Sequence, residues 1–232
     1  MPTGHNGAVT STHQRNFRRG GKIVRVAGWP LTSFRNVPTH QETFDALERP
    51  CVIASNHRSV FDAVAGIHAV GTLGHTARVL SAAWLWEDKR LGRLLDSIGA
   101  IPLQGGRAAV ETVEQAISVL RDGEHLLMTP EGRVVPEHER VNGVGDGHKI
   151  LSKIVTAADV QVIPSALVGT DDFWALDSKR PVVRPWDRPV IGYGFGPPVD
   201  CGSASHRENV ESVMTAISAL ITDIEPLMPV EA

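Results

Sequence analysis

Short apolar runs alternate with longer amphipathic segments along most of this chain, and this alternation constrains the fold more than any other feature. Apolar runs such as 51–54, 125–129 and 160–168 are typical of buried strands. Between them, apolar side chains recur at helical spacing, most regularly over residues 203–224. Strands that alternate with helices in this way predict an α/β layered domain.

The apolar runs and the helical spacing of apolar side chains also predict the individual strands and helices. Strands are predicted at residues 51–54, 77–81, 101–103, 125–129, 160–168 and 190–195, after an edge strand that begins near residue 35. Helices are predicted at residues 42–48, 63–68, 84–98, 108–121, 150–158 and 203–224. Ser59 is the expected N-cap of the helix at 63–68. Leu94 and Val110 are expected on the apolar stripes of their helices.

Length and composition bound the domain organisation. With 232 residues, of which 42% are hydrophobic, the chain can bury one substantial core. We predict a flexible tail at residues 1–16 and a single domain at 17–228. Two cysteines, Cys51 and Cys201, are too few for a disulfide framework and favour a reducing, cytoplasmic setting. The formal net charge of −3 gives no support to nucleic-acid binding. No apolar run reaches the roughly 18 residues of a membrane span.

Residues 17–34 combine basic and apolar side chains, and two interpretations stay open. Cations close to Trp29 and to aliphatic side chains suit a short helix at a membrane interface. The same segment also suits a first helix that packs on the core and leaves its arginines in solvent. Gly28 and Pro30 interrupt the segment, and the pattern does not decide between the two.

A histidine and a carboxylate lie in the turn that follows the apolar run 51–54. Because His57 and Asp62 are five positions apart, they do not share a helix face. The spacing suits a turn that carries His57 and a helix whose first turn carries Asp62. The aspartate can then accept a hydrogen bond from one ring nitrogen and leave the other free as a base. The alternative is a core histidine that the aspartate holds for structural reasons.

A second polar turn, with Glu131, Gly132 and Arg133, follows the apolar run 125–129. Ligand sites in α/β sheets collect at the carboxyl ends of strands. If both turns lie at that edge, a base, a carboxylate and a guanidinium converge on one site. Gly132 would let the backbone approach a ligand closely. An ordinary surface turn with solvated charges is the alternative.

Together these motifs resemble those of the glycerolipid acyltransferases, the PlsC-like family that includes 1-acyl-glycerol-3-phosphate acyltransferases. Residues 56–62 match its Asn-His-x-Ser-x-x-Asp block, and residues 130–132 match its Pro-Glu-Gly block. Residues 99–103 and 162–167 are similar to two further blocks in the family's order, so the resemblance covers about residues 35–170. It implies an α/β fold with a mixed, mostly parallel central sheet flanked by helices.

The resemblance implies an enzyme that moves a fatty acyl group from acyl-CoA or acyl carrier protein to the hydroxyl of a lysophospholipid such as 1-acyl-glycerol-3-phosphate. His57 would be the general base and Asp62 its partner, with no serine or cysteine nucleophile. Substrate-binding roles are implied for Asn56, Arg58, Ser59, Arg107, Glu131, Gly132 and Arg133. The expected partners are a lipid acceptor, the acyl donor and a membrane surface. The implied location is peripheral, at the inner face of the cell membrane.

Departures from the family pattern put the acceptor in doubt. Gln104 and Val134 stand where family members that bind a phosphate usually carry arginine. A phosphate monoester needs several cationic or N–H donors around it. The cationic candidates that remain are Arg107, Arg133 and Lys149. The alternatives are a glycolipid or another acceptor without a phosphate monoester, a thioester hydrolase, and a non-enzymatic lipid-binding module.

No cofactor and no metal are expected. The histidines at 125, 138 and 148 lack a metal-binding spacing, and both cysteines are isolated. The glycines at 143, 145 and 147 lack the spacing of a dinucleotide-binding loop, and they predict a flexible loop.

Overall fold

The computed structural model describes residues 12–28, 32–106, 108–178, 180–183, 186, 188–202 and 205–229. Within these ranges one sheet contains seven strands. The strands are β1 Ser33–Asn36, β2 Val52–Ser55, β3 Ala77–Ala82, β4 Ile101–Leu103, β5 His125–Met128, β6 Val162–Val168 and β7 Val190–Phe195. Their order across the sheet is β1-β7-β6-β2-β5-β3-β4.

Most neighbouring strands run in the same direction. The pairing of β6 with β7 is antiparallel, and the other five pairings are parallel. The prediction of an α/β fold with a mixed, mostly parallel central sheet is therefore confirmed. Because β2 pairs directly with β5, the two polar turns that follow these strands lie side by side at one edge of the sheet.

Helices cover both faces of the sheet. They are α1 Thr12–Gly28, α2 Gln41–Leu47, α3 Asp62–Thr72, α4 Lys89–Ser97, α5 Ala108–Arg121, α6 Ile150–Ala158, α7 Thr170–Phe173 and α8 His206–Ile224. Short 3-10 helices lie at Ala83–Glu87, Glu137–Glu139 and Glu225–Leu227. None of the helices in the described ranges is long and apolar enough to cross a membrane.

The pleat of the strands divides the apolar side chains into two clusters. Val52 and Ala54 of β2 belong to the cluster beneath α5, α6 and α8, whereas Ile53 belongs to the cluster beneath α1, α3 and α4. Alternate residues of a strand point to opposite faces, so a strand that is buried on both faces reads as a continuous apolar run. This is why the short runs were recognisable in the sequence.

Some predicted boundaries are confirmed and others are wrong. The helix predicted at 84–98 is two elements, because the Asp88 side chain accepts hydrogen bonds from the N–H groups of Arg90 and Leu91 and starts α4 there. Ser59 is not the N-cap of α3, since that position belongs to Phe61. Leu94 and Val110 are 58% and 60% exposed, so these two residues lie off the core-facing stripes of α4 and α5.

The N-terminal helix begins inside the segment that the sequence predicts as a flexible tail. Thr12 is its first residue, and Phe17 is 1% exposed in the cluster beneath α1, α3 and α4. At Phe17 the structure therefore agrees with a helix that packs on the core. Residues 1–11 of the predicted tail and residues 29–31 of the basic, apolar segment lie outside the described residues.

Candidate active site

The histidine and the aspartate of the first turn meet as the spacing predicts. His57 Nδ1 lies 2.8 Å from Asp62 Oδ2. The His57 side chain is 22% exposed and the Asp62 side chain is 1% exposed. With Nδ1 engaged by the buried carboxylate, Nε2 is the ring nitrogen that remains for a ligand. The arrangement can accept a proton at Nε2 while Asp62 stabilises the resulting imidazolium.

The Asp62 carboxylate also organises the turn around it. Its Oδ2 accepts hydrogen bonds from the main-chain N–H groups of Arg58 at 2.6 Å and Ser59 at 2.7 Å. Three donors thus converge on one oxygen of the first residue of α3. The other oxygen, Oδ1, is buried and has no hydrogen-bond partner in the described part of the chain. Asp62 therefore holds the imidazole and the main chain of the turn in one fixed relation.

Glu131 of the second turn connects the two loops. Glu131 is 2% exposed, and its Oε2 accepts a hydrogen bond from the main-chain N–H of His57. Its Oε1 accepts a hydrogen bond from the N–H of Gly145 at 2.8 Å. Burial raises the pKa of the Glu131 carboxyl, against the effect of these two N–H groups, which lower it.

An apolar cavity opens beside His57. It encloses about 150 Å³, roughly ten times the space that one water molecule needs. Its aliphatic and aromatic lining comes from Val60, Val79, Leu80, Trp84, Leu85, Leu103, Leu127, Met128, Val134 and Leu167. Among the described residues that line it, His57 and Asp62 are the titratable ones. The cavity can accept a hydrocarbon chain whose end lies beside the imidazole.

Residues 32–168 match the sequence profile of the Acyltransferase family, a span that includes both polar turns and more than half of the chain. The chain belongs to the Acyltransferase family. The acyltransferase is also similar to the crystal structure of PlsC, the 1-acyl-sn-glycerophosphate (LPA) acyltransferase of Thermotoga maritima. Their sequence identity is 18% and the TM-score is 0.65, with 91% of this chain and 79% of that chain covered. The likeness shows a shared fold. No curated protein matches the sequence.

Two predicted substrate-binding residues of the acyltransferase have their polar groups engaged within the protein. Asn56 is fully buried, and its amide exchanges two hydrogen bonds of 2.8 Å with the main-chain N–H and C=O of Leu167. Ser59 is fully buried and donates to the carbonyl of Trp174 at 2.5 Å. Their substrate-binding roles stay predictions. In the structure, Asn56 connects the His57 turn to β6, and Ser59 connects it to the segment after α7.

The predicted arginines differ in their surroundings. Arg58 is 9% exposed, and its Nη2 donates to the carbonyl of Gly143 at 3.2 Å. Burial lowers the pKa of Arg58, and the charge of Asp171 opposes this effect. The Arg133 side chain is 58% exposed and pairs with Glu139. Arg107 lies outside the described residues.

Gly132 and the glycines after it have geometric reasons to be glycine. Gly132 has φ +68° and lines the cavity. Gly143 has φ +81°, and a Cβ there would lie 2.7 Å from Arg58 Nη2. The segment predicted as a flexible loop thus supplies main-chain contacts to both Arg58 and Glu131. The sequence did not predict these main-chain contacts of Gly143 and Gly145. The signal that could have suggested them is the recurrence of glycine at every second position from 143 to 147.

Metal binding has no support in the described ranges, where His, Cys, Asp and Glu form no group of three or more that could hold a metal ion. The expectation of no metal stays a prediction. The cysteines are free and buried. Burial raises the pKa of Cys51 to about 12, which disfavours a thiolate nucleophile at this position near neutral pH.

Proposed function

We propose that the protein transfers a fatty acyl group from acyl-CoA or acyl carrier protein to a hydroxyl group of a glycerolipid-type acceptor, without a bound cofactor. The observation that carries the proposal is the pair His57 Nδ1 and Asp62 Oδ2, 2.8 Å apart beside an apolar cavity. Membership of the Acyltransferase family supports the reaction class. PlsC of Thermotoga maritima, by its name, acts on 1-acyl-sn-glycerophosphate. This likeness makes a lysophospholipid the first acceptor class to test.

The proposed reaction needs only a base and a positioned thioester. His57 Nε2 takes the proton of the acceptor hydroxyl as its oxygen attacks the thioester carbonyl carbon. The tetrahedral intermediate collapses, the C–S bond breaks, and the imidazolium returns the proton to the departing thiolate. The products are an ester and a free thiol. Asp62 stabilises the imidazolium throughout, and the base contributes on the order of 10²–10⁴ in rate.

The acyl chain of the donor fits the apolar cavity in this proposal. Each methylene group that leaves water contributes about 0.8 kcal/mol. Leu127 and Leu167 contribute to the lining from β5 and β6, and Gly66 of α3 lies against Leu127, where a Cβ would be 3.2 Å from Leu127 Cδ2. This close approach of α3 to the sheet limits the width of the cavity at that point. We expect a Gly66→Val substitution to favour shorter acyl chains.

We also propose that the enzyme works at a membrane surface, at the inner face of the cell membrane. Val60 and Trp84 line the cavity and are 41% and 64% exposed. An apolar rim of this kind suits a lipid interface. Flotation with phospholipid vesicles should weaken for Trp84→Ser. The control is Val110→Ser on α5, which packs on the other face of the sheet. Equal flotation of both variants and the native protein would contradict this role of the rim.

A two-product assay tests the proposed function. Purified protein is mixed with a long-chain acyl-CoA and a set of hydroxylated lipids, and both the free thiol and the acylated lipid are measured. We expect thiol and ester in equal amounts, each dependent on an acceptor. Thiol release without acceptor, or without ester, would favour hydrolysis and overturn the transfer reaction. The same assay repeated with acyl carrier protein as the acyl carrier identifies the donor.

A further inference from the structure

Hydroxyl groups line part of the active-site cavity. Besides His57 and Asp62, the side chains that can hydrogen-bond there are Ser55, Ser81 and Thr129. They lie at or just after the carboxyl ends of β2, β3 and β5, which are neighbours in the sheet. Ser55 is 3% exposed, and its Oγ has no hydrogen-bond partner in the described residues. A buried hydroxyl without a partner is costly unless a ligand or water satisfies it.

Cationic side chains are absent from the described part of this lining. The arginines closest in sequence to the two turns are engaged elsewhere. The Nη2 of Arg58 donates to the carbonyl of Gly143, whereas its buried Nε has no hydrogen-bond partner among the described residues. Arg133 pairs with Glu139, and Arg140 pairs with Asp171 at 2.6 Å. The place directly after Arg133 is taken by Val134, an apolar side chain that lines the cavity. Apart from His57 and Asp62, the described lining of the cavity thus offers neutral hydrogen-bonding groups to an acceptor.

A lining that has hydroxyl groups but no cationic side chain among its described residues discriminates between acceptor headgroups. A phosphate monoester carries a charge of about −1.5 to −2 near pH 7, and its transfer from water is costly unless cations or several N–H donors compensate it. A neutral headgroup needs only hydroxyl partners. The hydroxyls at the carboxyl ends of β2, β3 and β5 offer these, while the aliphatic side chains of the same lining take the acyl chain. We propose that the acceptor is a lipid alcohol whose headgroup is uncharged and hydroxylated, rather than a phosphate monoester. This inference rests on the proposed acyl transfer and specifies its acceptor class.

The test compares two acceptors that differ only by the phosphate. 1-Oleoylglycerol and 1-oleoylglycerol-3-phosphate are presented in identical mixed micelles of a neutral detergent, with oleoyl-CoA as donor, and ester formation is followed. We expect kcat/KM to be at least about tenfold higher for the neutral acceptor, which corresponds to about 1.4 kcal/mol. An equal or higher kcat/KM for the phosphate-bearing acceptor overturns the inference but leaves the proposed transfer intact. Ester formed from neither acceptor overturns the proposed transfer itself.

Substitutions of the cavity lining add a test of the physical cause. Val134→Arg places a cation in the lining and should narrow the preference for the neutral acceptor, mainly by lowering KM for the phosphate-bearing one. Val134→Met adds a long side chain without charge and should leave the preference unchanged. If both variants reduce the preference for the neutral acceptor equally, the size of the side chain at position 134 decides the preference. This result would contradict the proposed electrostatic cause. A loss of phosphate-acceptor turnover alone in Arg107→Ala or Arg133→Ala would also contradict it.

Discussion

The buried carboxylate of Glu131 accepts a hydrogen bond from the main-chain N–H of His57, a residue 74 positions earlier in the chain. With its other oxygen on Gly145, Glu131 links three loops around the candidate base. Its visible contacts are to main-chain groups, so we propose that it positions the His57 turn. Its burial makes that position costly for a charge, and burial accordingly raises the pKa of its carboxyl.

Glu131→Gln should separate this positioning role from stability. The amide keeps one acceptor oxygen but turns its NH₂ group towards one of the two N–H donors, so kcat should fall by about tenfold or more. A carboxyl whose folded pKa is raised loses stability as the pH rises from its unfolded value through its folded value. The variant lacks this titration. Relative to the native protein, its free energy of unfolding should therefore increase as the pH rises above the unfolded value of about 4.3.

The measurement combines steady-state kinetics with urea unfolding at several pH values. Glu137→Gln, the same substitution at an exposed glutamate of the 3-10 helix Glu137–Glu139, is the control. Native-like kcat in Glu131→Gln would exclude the positioning role. If the difference in unfolding free energy between Glu131→Gln and the native protein stays constant across the pH range, the pKa of the Glu131 carboxyl is not raised by burial.

Removal of the imidazole should abolish most turnover and leave the fold intact. His57→Ala deletes the proposed base, and we expect kcat to fall by at least about 10². Asp62→Asn should also lower kcat strongly, and it should destabilise the protein because the carboxylate holds three donors. Circular dichroism and thermal unfolding check that His57→Ala is folded. Near-normal turnover of folded His57→Ala would eliminate the proposed mechanism.

Asn56 should matter for stability through its two hydrogen bonds to Leu167. Asn56→Ala leaves a buried N–H and a buried C=O of β6 without partners, so the free energy of unfolding should fall by about 2–4 kcal/mol. Ser218→Ala is the matched control, because it removes an exposed hydrogen bond to the carbonyl of Asn142. It should change stability by less than about 0.5 kcal/mol. Equal effects of the two substitutions in urea unfolding would contradict the predicted cost of burial.

His125 should make the protein sensitive to mild acid. Burial, with a smaller contribution from His75, lowers the pKa of His125 to about 4. Between this value and the ordinary value of about 6.5, the unfolded chain binds a proton that the folded chain does not, so stability falls as the pH falls. His125→Gln should lose less stability than the native protein between pH 6.5 and pH 4.5.

The control for this prediction is His138→Gln, whose side chain is 81% exposed in the native protein. Its unfolding free energy should follow the native pH dependence. If the unfolding free energy of His125→Gln has the same pH dependence as that of the native protein, His125 is not the group responsible for acid sensitivity. The measurement is urea unfolding at half-unit steps of pH.

Much of the fold could be predicted because its determinants are local. The bounds of α5, α6, β4 and β7 match the predicted ones, since buried strands and amphipathic helices have their own periodicities. The break at Asp88 was missed because a helix-like apolar pattern continues through it. The start of α8 could have been placed better, because Ser205 and Glu208 form a capping box that is visible as a sequence pattern.

The candidate site was only half predictable. The pairing of His57 with Asp62 follows from a five-residue spacing, and the structure has it. The partners of Glu131 and Asn56 do not follow from any local pattern, because they lie 74 and 111 residues away in sequence. Motif membership predicted substrate contacts for both side chains. In the structure their polar atoms meet main-chain groups of the protein.

The sequence by itself determined which chemical groups the enzyme has and the order in which strands and helices carry them, because both are properties of short segments. Only the tertiary structure decided that β2 and β5 are neighbours, that Arg58 and Arg133 have partners within the protein, and that Val134 lines the cavity. The physical reason is that burial and hydrogen bonding depend on which distant segments meet, and these contacts determine the charge that a substrate encounters beside His57.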